Sequence, residues 1–261
     1  MRWCRFERGG RASHGRVDGE DVVAIEGTPW GEHRETGQVH RLDAVRLLPP
    51  VIPPTFYAAG VNYRAHVLEA QRLGSPTARI PARAEVGYRA NSALIGHGET
   101  IVKPREVEGR FEAEPELVAV IGRSMRRCSR DEAAAGIFGW TIGNDVSARA
   151  WQYADRTLWR SKNSDTFKPM GPWITSGIDP MQSHTRVRVN GQQVTEFATG
   201  DMIFDPLDYL VEIGKYITLQ PGDMLWMGSD GNVAMAPGDT VDIEITGLGT
   251  LTNPVRDEVI A

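Results

Sequence analysis

The stretch GWTIGNDVSARAWQYADRTLWRSKNSDTFKPMGPW, residues 139–173, combines charged, amide and apolar side chains in one short segment. It mixes Asp145, Arg149, Gln152 and Lys162 with apolar flanks. A core strand rarely carries unpaired charges, because their burial is costly, and a solvated loop rarely carries such apolar flanks. The combination indicates a functional site, and the rest of the chain is interpreted around it.

Two further carboxylates precede this stretch, in FEAEPELVAVIG, residues 111–122. If the apolar run is a strand, Glu114 and Glu116 leave the same face, and Pro115 belongs at a strand end because it has no N–H for the ladder. Together with Asp145 they would repel one another unless a cation lay between them. Oxygen ligands favour hard ions, so we predict Mg²⁺ or Mn²⁺, with Ca²⁺ less favoured, and zinc disfavoured because it prefers Cys and His.

Several motifs follow one another in a fixed order along the chain: ExEL and VxxIG (114–122), GNDVSAR (143–149), RxKxxDTFxPxGPW (160–173), TGDMIF (199–204) and LQPGDMLWMGS (219–229). From about Phe56 to Val255, the chain resembles the fumarylacetoacetate hydrolase family in these motifs. The resemblance implies a β-rich α+β fold, a mixed β-roll or sandwich. It also implies enzymes that act on 2-oxo acids through an enolate stabilised by the metal.

The resemblance extends to an NYxxHxxE pattern at residues 62–69. It implies a catalytic His66, which a helix would place on the same face as Glu69, three residues later. A neutral imidazole held by a carboxylate could activate water near neutral pH. Lys162 is expected to donate to the negative charge that develops on the substrate.

Three more residues are candidates for substrate binding by the same resemblance. Arg149 would contribute its charge, Gln152 its amide and Ser229 its hydroxyl. An alternative for Arg149 is a structural ion pair with Asp145 or Asp165, which the sequence leaves open.

The chain departs from the family pattern at three positions. Arg89 stands where a lysine is usual, and its planar fork is not equivalent to an ammonium. Ser164 replaces an aromatic residue, and Asp230 adds a negative charge near a site that is expected to bind an anion. The last two departures put the identity of the substrate in doubt.

Composition excludes several classes of partner. The 261 residues carry a formal net charge of −5, with a pI near 5.7, so nucleic acid and anionic membranes are not expected to bind. The chain has two cysteines outside any CxxC pair and no apolar run of about 18 residues, which predicts neither a disulfide framework nor a membrane span. The N-terminal stretch has no apolar core of a signal peptide, and we expect a cytoplasmic protein.

The chain divides into a small β-rich segment, residues 1–54, which ends in PPVIPP, and a catalytic domain, residues 55–261. Ser129 with Glu132 predicts a capping box for a crossover helix, and Asp205-Pro206 predicts the start of another helix. Asn190-Gly191 predicts a hairpin turn. Short strands outnumber helices, which favours a β-rich α+β fold.

The leading functional hypothesis is a metal-dependent hydrolase that cleaves a carbon–carbon bond in a 2-oxo or 1,3-dicarbonyl acid, of acylpyruvate or fumarylpyruvate type. The alternatives within the family are an oxaloacetate-type decarboxylase and a hydratase or isomerase of 2-oxo-enoic diacids. A non-catalytic binding protein is disfavoured, because every proposed ligand and Lys162 are present. The family resemblance also predicts a homodimer.

Overall fold

The computed structural model describes residues 1–72, 79–152 and 154–259, without the side chains of Glu69 and Ala70. Strands make up most of its regular structure, which confirms the β-rich α+β class. Within these three ranges, no helix has the length and apolar character needed to cross a membrane.

The N-terminal segment forms five strands: β1 (Arg2–Arg8), β2 (Arg11–Asp18), β3 (Asp21–Gly27), β4 (His33–Arg41) and β5 (Arg46–Leu48). The first half of the remaining chain contains β6 (Phe56–Ala59), α1 (Arg64–Arg72), β7 (Val86–Tyr88), β8 (Leu94–Ile95), β9 (Ile101–Lys103), β10 (Phe111–Ala113), β11 (Pro115–Ile121), α2 (Arg130–Gly136), β12 (Ile137–Asn144), β13 (Ser147–Ala148) and α3 (Arg149–Gln152). The second half contains β14 (Lys168–Thr175), β15 (His184–Val189), β16 (Gln192–Ala198), α4 (Pro206–Gly214), β17 (Met224–Trp226), β18 (Val233–Ala234), β19 (Thr240–Ile245) and β20 (Gly249–Asp257). The described residues also form 3₁₀ turns at Leu42–Ala44, Asn91–Ala93 and Pro180–Gln182.

A 12-stranded sheet runs through the molecule in the order β4-β3-β2-β1-β14-β12-β11-β17-β6-β7, with β5 paired to β1 and β8 to β14. The N-terminal segment joins this sheet through β1 and β14, where Arg2 lies opposite Thr175 and Trp3 opposite Ile174. The boundary near residue 54 therefore does not divide the main sheet.

A five-stranded sheet, in the order β16-β15-β19-β20-β9, packs against one face of the main sheet. Strand β19 shows why: its side chains alternate between half-buried and buried, so Val241, Ile243 and Ile245 join one core with Leu117 and Ile142 of the main sheet. The hairpin between β15 and β16 turns at Asn190 and Gly191, both with positive φ, as predicted.

The opposite face of the main sheet is also covered. Val118 and Val120 of β11 point there, into a second core that includes Trp3 and Ile174. All seven residues of β11 are buried, because both of its faces are packed. Strand β11 is thus the centre of the fold.

Both predicted helix starts are confirmed. Ser129 and Glu132 form a reciprocal capping box at α2, and Asp205 does the same with Asp208 at α4. The prediction that α2 is a crossover was wrong, because α2 connects β11 and β12, which are antiparallel neighbours. A helix inserted in the connection of a hairpin gives no sequence signal that distinguishes it from a crossover.

Candidate active site

Three carboxylates meet where β11 begins and β12 ends. These strands pair antiparallel with Glu116 opposite Gly143, so Asp145, just after β12, reaches the start of β11. The backbone N–H of Asp145 donates to the carbonyl of Glu114 at 2.9 Å. One oxygen from each of Glu114, Glu116 and Asp145 lies within 4.8 Å of the others, and all three residues are buried. Pro115 is the first residue of β11, where its missing N–H costs no ladder bond.

Asp145 is surrounded by three cations. The Lys162 ammonium lies 3.0 Å from Oδ2 and the Lys168 ammonium 2.6 Å from Oδ1. The Arg89 guanidinium donates a hydrogen bond to each carboxylate oxygen, from Nη2 to Oδ2 at 3.0 Å and from Nε to Oδ1 at 3.3 Å. Burial alone would raise the pKa of Asp145, but the charges of Arg89, Lys162 and Lys168 hold that pKa well below its usual range.

Glu114 is also neutralised by two cations. Lys162 Nζ lies 2.5 Å from Oε2, and Arg149 Nη2 pairs with Oε1. Burial opposes ionisation, yet the charges of Arg149 and Lys162 lower the pKa of Glu114 to about 2. Lys162 therefore bridges Glu114 and Asp145.

Glu116 is the least compensated of the three. Its Oε2 accepts a hydrogen bond from the backbone N–H of Gly228 at 2.8 Å. Burial and the charges of Asp145 and Glu114 raise the pKa of Glu116 to about 8. Three buried carboxylates, one of them without an ion-pair partner among the described residues, form a site that fits a hard divalent cation. Such a cation would offset the repulsion between Glu116 and the other two carboxylates.

The close approach of Gly228 requires glycine. Its φ is +80°, and a Cβ there would lie 3.2 Å from Asn62 Cβ and 3.3 Å from the carbonyl oxygen of Gly60. A side chain at position 228 would push this backbone away from Glu116.

Arg149 resolves the alternative that the sequence left open. It pairs with neither Asp145 nor Asp165, but its Nε lies 2.5 Å from Glu112 and its Nη2 contacts Glu114. Its Nη1 donates to the side-chain oxygen of Gln152 at 2.8 Å. This bond turns the NH₂ group of Gln152 away from Arg149.

The triad opens into a cavity of about 180 Å³, whose lining includes Arg149, Gln152, Lys162, His66 and Ser229. The Ser229 hydroxyl donates to the carbonyl of Gly231 at 2.7 Å, so its proton is engaged within the loop. Burial lowers the pKa of His66 and favours its neutral form. The predicted partner of His66, the Glu69 side chain, lies outside the described residues.

Of the three departures from the family pattern, Arg89 lines this cavity, whereas Asp230 and Ser164 lie outside its lining. Asp230 neighbours His66, and burial raises the pKa of Asp230 although the charge and backbone N–H of His66 lower it. Its Oδ1 is buried without a hydrogen-bond partner among the described residues. Ser164 donates to the carbonyl of Arg160 at 2.8 Å and stabilises the turn before β14.

Sequence reasoning missed two members of the site. Glu112 lies two residues before Glu114, so the period of a strand already placed it on the same face. Lys168 has no exposed side-chain area and contacts Asp145. The sequence feature that could have indicated its role is a lysine placed among apolar residues. Burial lowers the pKa of Lys168 to about 8, although Asp145 raises it.

Comparison with known proteins places this geometry in a family. A family model described as fumarylacetoacetate (FAA) hydrolase C-terminal matches residues 55–256. The chain belongs to the fumarylacetoacetate hydrolase family. A second family model, described as Rv2993c-like, N-terminal, matches residues 1–50 of this family member.

Relatives of this family member carry several activities in their names. A crystal structure of 2-hydroxyhepta-2,4-diene-1,7-dioate isomerase from Mycobacterium marinum is similar with a TM-score of 0.88 and 33% identity, covering 100% of both chains. Oxaloacetate tautomerase YisK of Bacillus subtilis (strain 168) is 32% identical over 230 residues, 83% of this chain and 75% of YisK. Maleylpyruvate hydrolase from Sphingobium sp. SYK-6, solved with manganese(II) and pyruvate, shares the fold with a TM-score of 0.79 at 24% identity, covering 99% of this chain and 100% of that one.

Proposed function

We propose that the protein catalyses proton transfer at the carbon beside the keto group of a small 2-oxo diacid, a tautomerisation or isomerisation through the enolate, with Mg²⁺ or Mn²⁺ held by Glu114, Glu116 and Asp145. The supporting observation is the buried triad, whose oxygens lie within 4.8 Å of one another beside Lys162 in a cavity of about 180 Å³. A divalent ion there would polarise the keto oxygen and make the neighbouring C–H bond more acidic.

The balance of charge supports a substrate with two negative charges. Among the largely buried side chains described, four cations match four carboxylates: Arg89, Arg149, Lys162 and Lys168 against Glu112, Glu114, Glu116 and Asp145. Arg110 also pairs with Glu112, but its side chain is 59% exposed and its charge is solvated. A divalent ion adds two positive charges to this balanced set. Unbalanced charge in a buried site is costly, so a dianion would restore neutrality.

Two side chains suit the recognition of this dianion. Gln152 has its oxygen engaged by Arg149, which leaves its NH₂ donors for a substrate carboxylate. Lys162 brings a positive donor to the enolate oxygen as negative charge develops there.

The neutral imidazole of His66 suits it to accept the proton from carbon. The same property favours a second candidate function, the carbon–carbon hydrolysis of an acylpyruvate, in which His66 would take the proton of a water molecule instead. The names of relatives at 32 and 33% identity, a tautomerase and an isomerase, favour proton transfer over hydrolysis.

Isotope exchange and product analysis test both candidates. Purified protein, stripped with chelator and reloaded with Mg²⁺ or Mn²⁺, is incubated with oxaloacetate in deuterated buffer, and enol absorbance and deuterium at carbon 3 are followed. We expect exchange faster than in the protein-free control only with the ion, and a loss of about 10²-fold or more in Lys162→Met, the usual scale for a lost donor to a developing oxyanion. Lys215→Met, which removes an exposed lysine paired with Glu212, is the matched control.

Acylpyruvates in the same assay separate the two candidates. One result would replace the tautomerase proposal with the hydrolase. Acylpyruvates would be hydrolysed orders of magnitude faster than protons are exchanged, and this hydrolysis would fall about 10²-fold in His66→Ala. Exchange that persists without any divalent ion would contradict the role of the triad.

We also propose that the protein is a homodimer, following its family resemblance. Light scattering at micromolar concentration should give twice the mass of one chain. A monomeric mass would refute this assembly.

A further inference from the structure

A second cavity, of about 400 Å³, lies on one face of the N-terminal strands and shares no lining residue with the candidate active site. On β1, β2 and β4 its lining comes from alternate residues, such as Arg8, Arg11 and His40, and β3 contributes residues 24–26. Alternate residues of a strand share one face, so the cavity is a property of the pleated sheet.

The rim of this cavity concentrates positive charge. Arg8 and Arg11 lie directly opposite each other in the β1–β2 register, and Arg8 Nη1 contacts the Nδ1 atom of His40. Like charges directly opposite one another destabilise a sheet. Neither arginine has a carboxylate partner among the described residues. The acidic residue of the lining, Glu26, is engaged by Arg34.

Several other arginines of the N-terminal strands are neutralised by carboxylates, whereas Arg2 of β1 instead lies over the ring of Trp173. Arg16 pairs with Asp18 and Glu35, and Arg41 pairs with Glu20 and Asp43. Arg46, on β5, pairs with Glu7 and Glu99. Arg8 and Arg11, by contrast, have no such partner among the described residues and share one cavity, where an anion could relieve their repulsion.

Neutral donors complete the lining. The Ser13 hydroxyl and the Gln38 side-chain amide also line the cavity. The His40 ring is held edge-on against Phe6, with ring centroids 5.6 Å apart. Guanidinium, hydroxyl and amide donors converging on one space form a set that suits a multidentate oxyanion.

We propose that this cavity binds a small oxyanion with at least two negative charges, bearing carboxylate or phosphate groups, between Arg8 and Arg11. The site is separate from the proposed catalytic function and does not depend on it. Dicarboxylates and phosphates share this chemistry, and the experiment distinguishes them.

Calorimetry and thermal unfolding of the full chain test the proposal, with inorganic phosphate and malonate as separate probes and NaCl at equal ionic strength as the blank. We expect at least one probe to bind the wild-type protein and to raise its Tm. Affinity should fall at least tenfold in the double variant Arg8→Gln, Arg11→Gln. Arg41→Gln, which removes a paired arginine of the same sheet, should bind as the wild type does.

The double variant also has an expected effect without any anion. Removing the opposed charges should leave its Tm equal to or above that of the wild type, which shows that lost binding is not lost folding. Equal affinity in the double variant and the wild type would overturn the proposal, as would a Tm shift that NaCl reproduces. A change in mass by light scattering in the double variant, without anion binding in the wild type, would assign the arginines to an interface between copies instead.

Discussion

Asn62 is the residue whose replacement tests the architecture of the candidate site most directly. It is buried, and its Nδ2 donates to the carbonyls of Phe204 and Met227 at 3.0 and 2.9 Å, while its Oδ1 accepts from the N–H of Phe204 at 3.0 Å. Asn62→Ala removes all three bonds. At about 0.5–1.5 kcal/mol for each of the three bonds, the free energy of unfolding should fall by about 1.5–4.5 kcal/mol. For a chain of this size, each kcal/mol lowers the Tm by about 2–4 °C, so the Tm should fall by about 3–18 °C.

Asn62→Asp gives the sharper test, because it changes one group and keeps the shape. An aspartate oxygen can still accept from the N–H of Phe204, but the other oxygen would face the two carbonyls of Phe204 and Met227 without a proton to donate. We therefore expect Asn62→Asp to be less stable than Asn62→Ala at pH 7 in urea unfolding. Asn91→Ala, which loses one bond to the carbonyl of Pro53, is the control and should cost about 1 kcal/mol. A stable Asn62→Asp would refute the assigned hydrogen-bond directions.

Three other changes have defined outcomes. Glu116→Gln should weaken Mg²⁺ or Mn²⁺ binding to chelator-stripped protein by about tenfold or more in calorimetry, because it removes one charged ligand; unchanged affinity would exclude Glu116 as a ligand. Arg89→Lys keeps the charge beside Asp145 but loses one of two bonds, so urea unfolding should show a loss of about 1.5–3 kcal/mol, and no loss would show that the fork is unimportant. Burial lowers the pKa of His97, whose Nδ1 accepts a hydrogen bond from the N–H of Thr252. As the pH falls, the imidazole therefore takes up a proton more readily in the unfolded chain than in the folded one, and the free energy of unfolding should fall below pH 6.5. A His97→Gln variant should lose less of this free energy between pH 7.5 and 5.5.

The sequence predicted the carboxylates better than the cations. Glu114 and Glu116 follow the period of a strand that begins at Pro115, so local pattern alone placed them on one face. The position of Asp145 beside them depends on the register of β11 and β12, which the pattern of residues does not contain and which the family resemblance supplied.

The sequence analysis missed Lys168 and left the role of Arg89 uncertain, both for the same physical reason. A lysine or arginine in an apolar run is read as exposed, because burial of a lone charge is costly. Here both side chains meet Asp145, and only the folded arrangement brings that carboxylate to them. The pairing of β1 with β14 was invisible for the same reason, since the residues that pair lie more than 170 positions apart.

That pairing has a consequence for folding. Strand β14 begins at Lys168 in the candidate site and ends beside β1, and Trp3 shares a core with Ile174 and Trp226. A chain that starts after residue 50 would leave β14 with an open edge and would uncover this aromatic core. The regions matched by two separate family models should therefore melt together in a single cooperative transition, and a truncated chain should aggregate before it can be assayed.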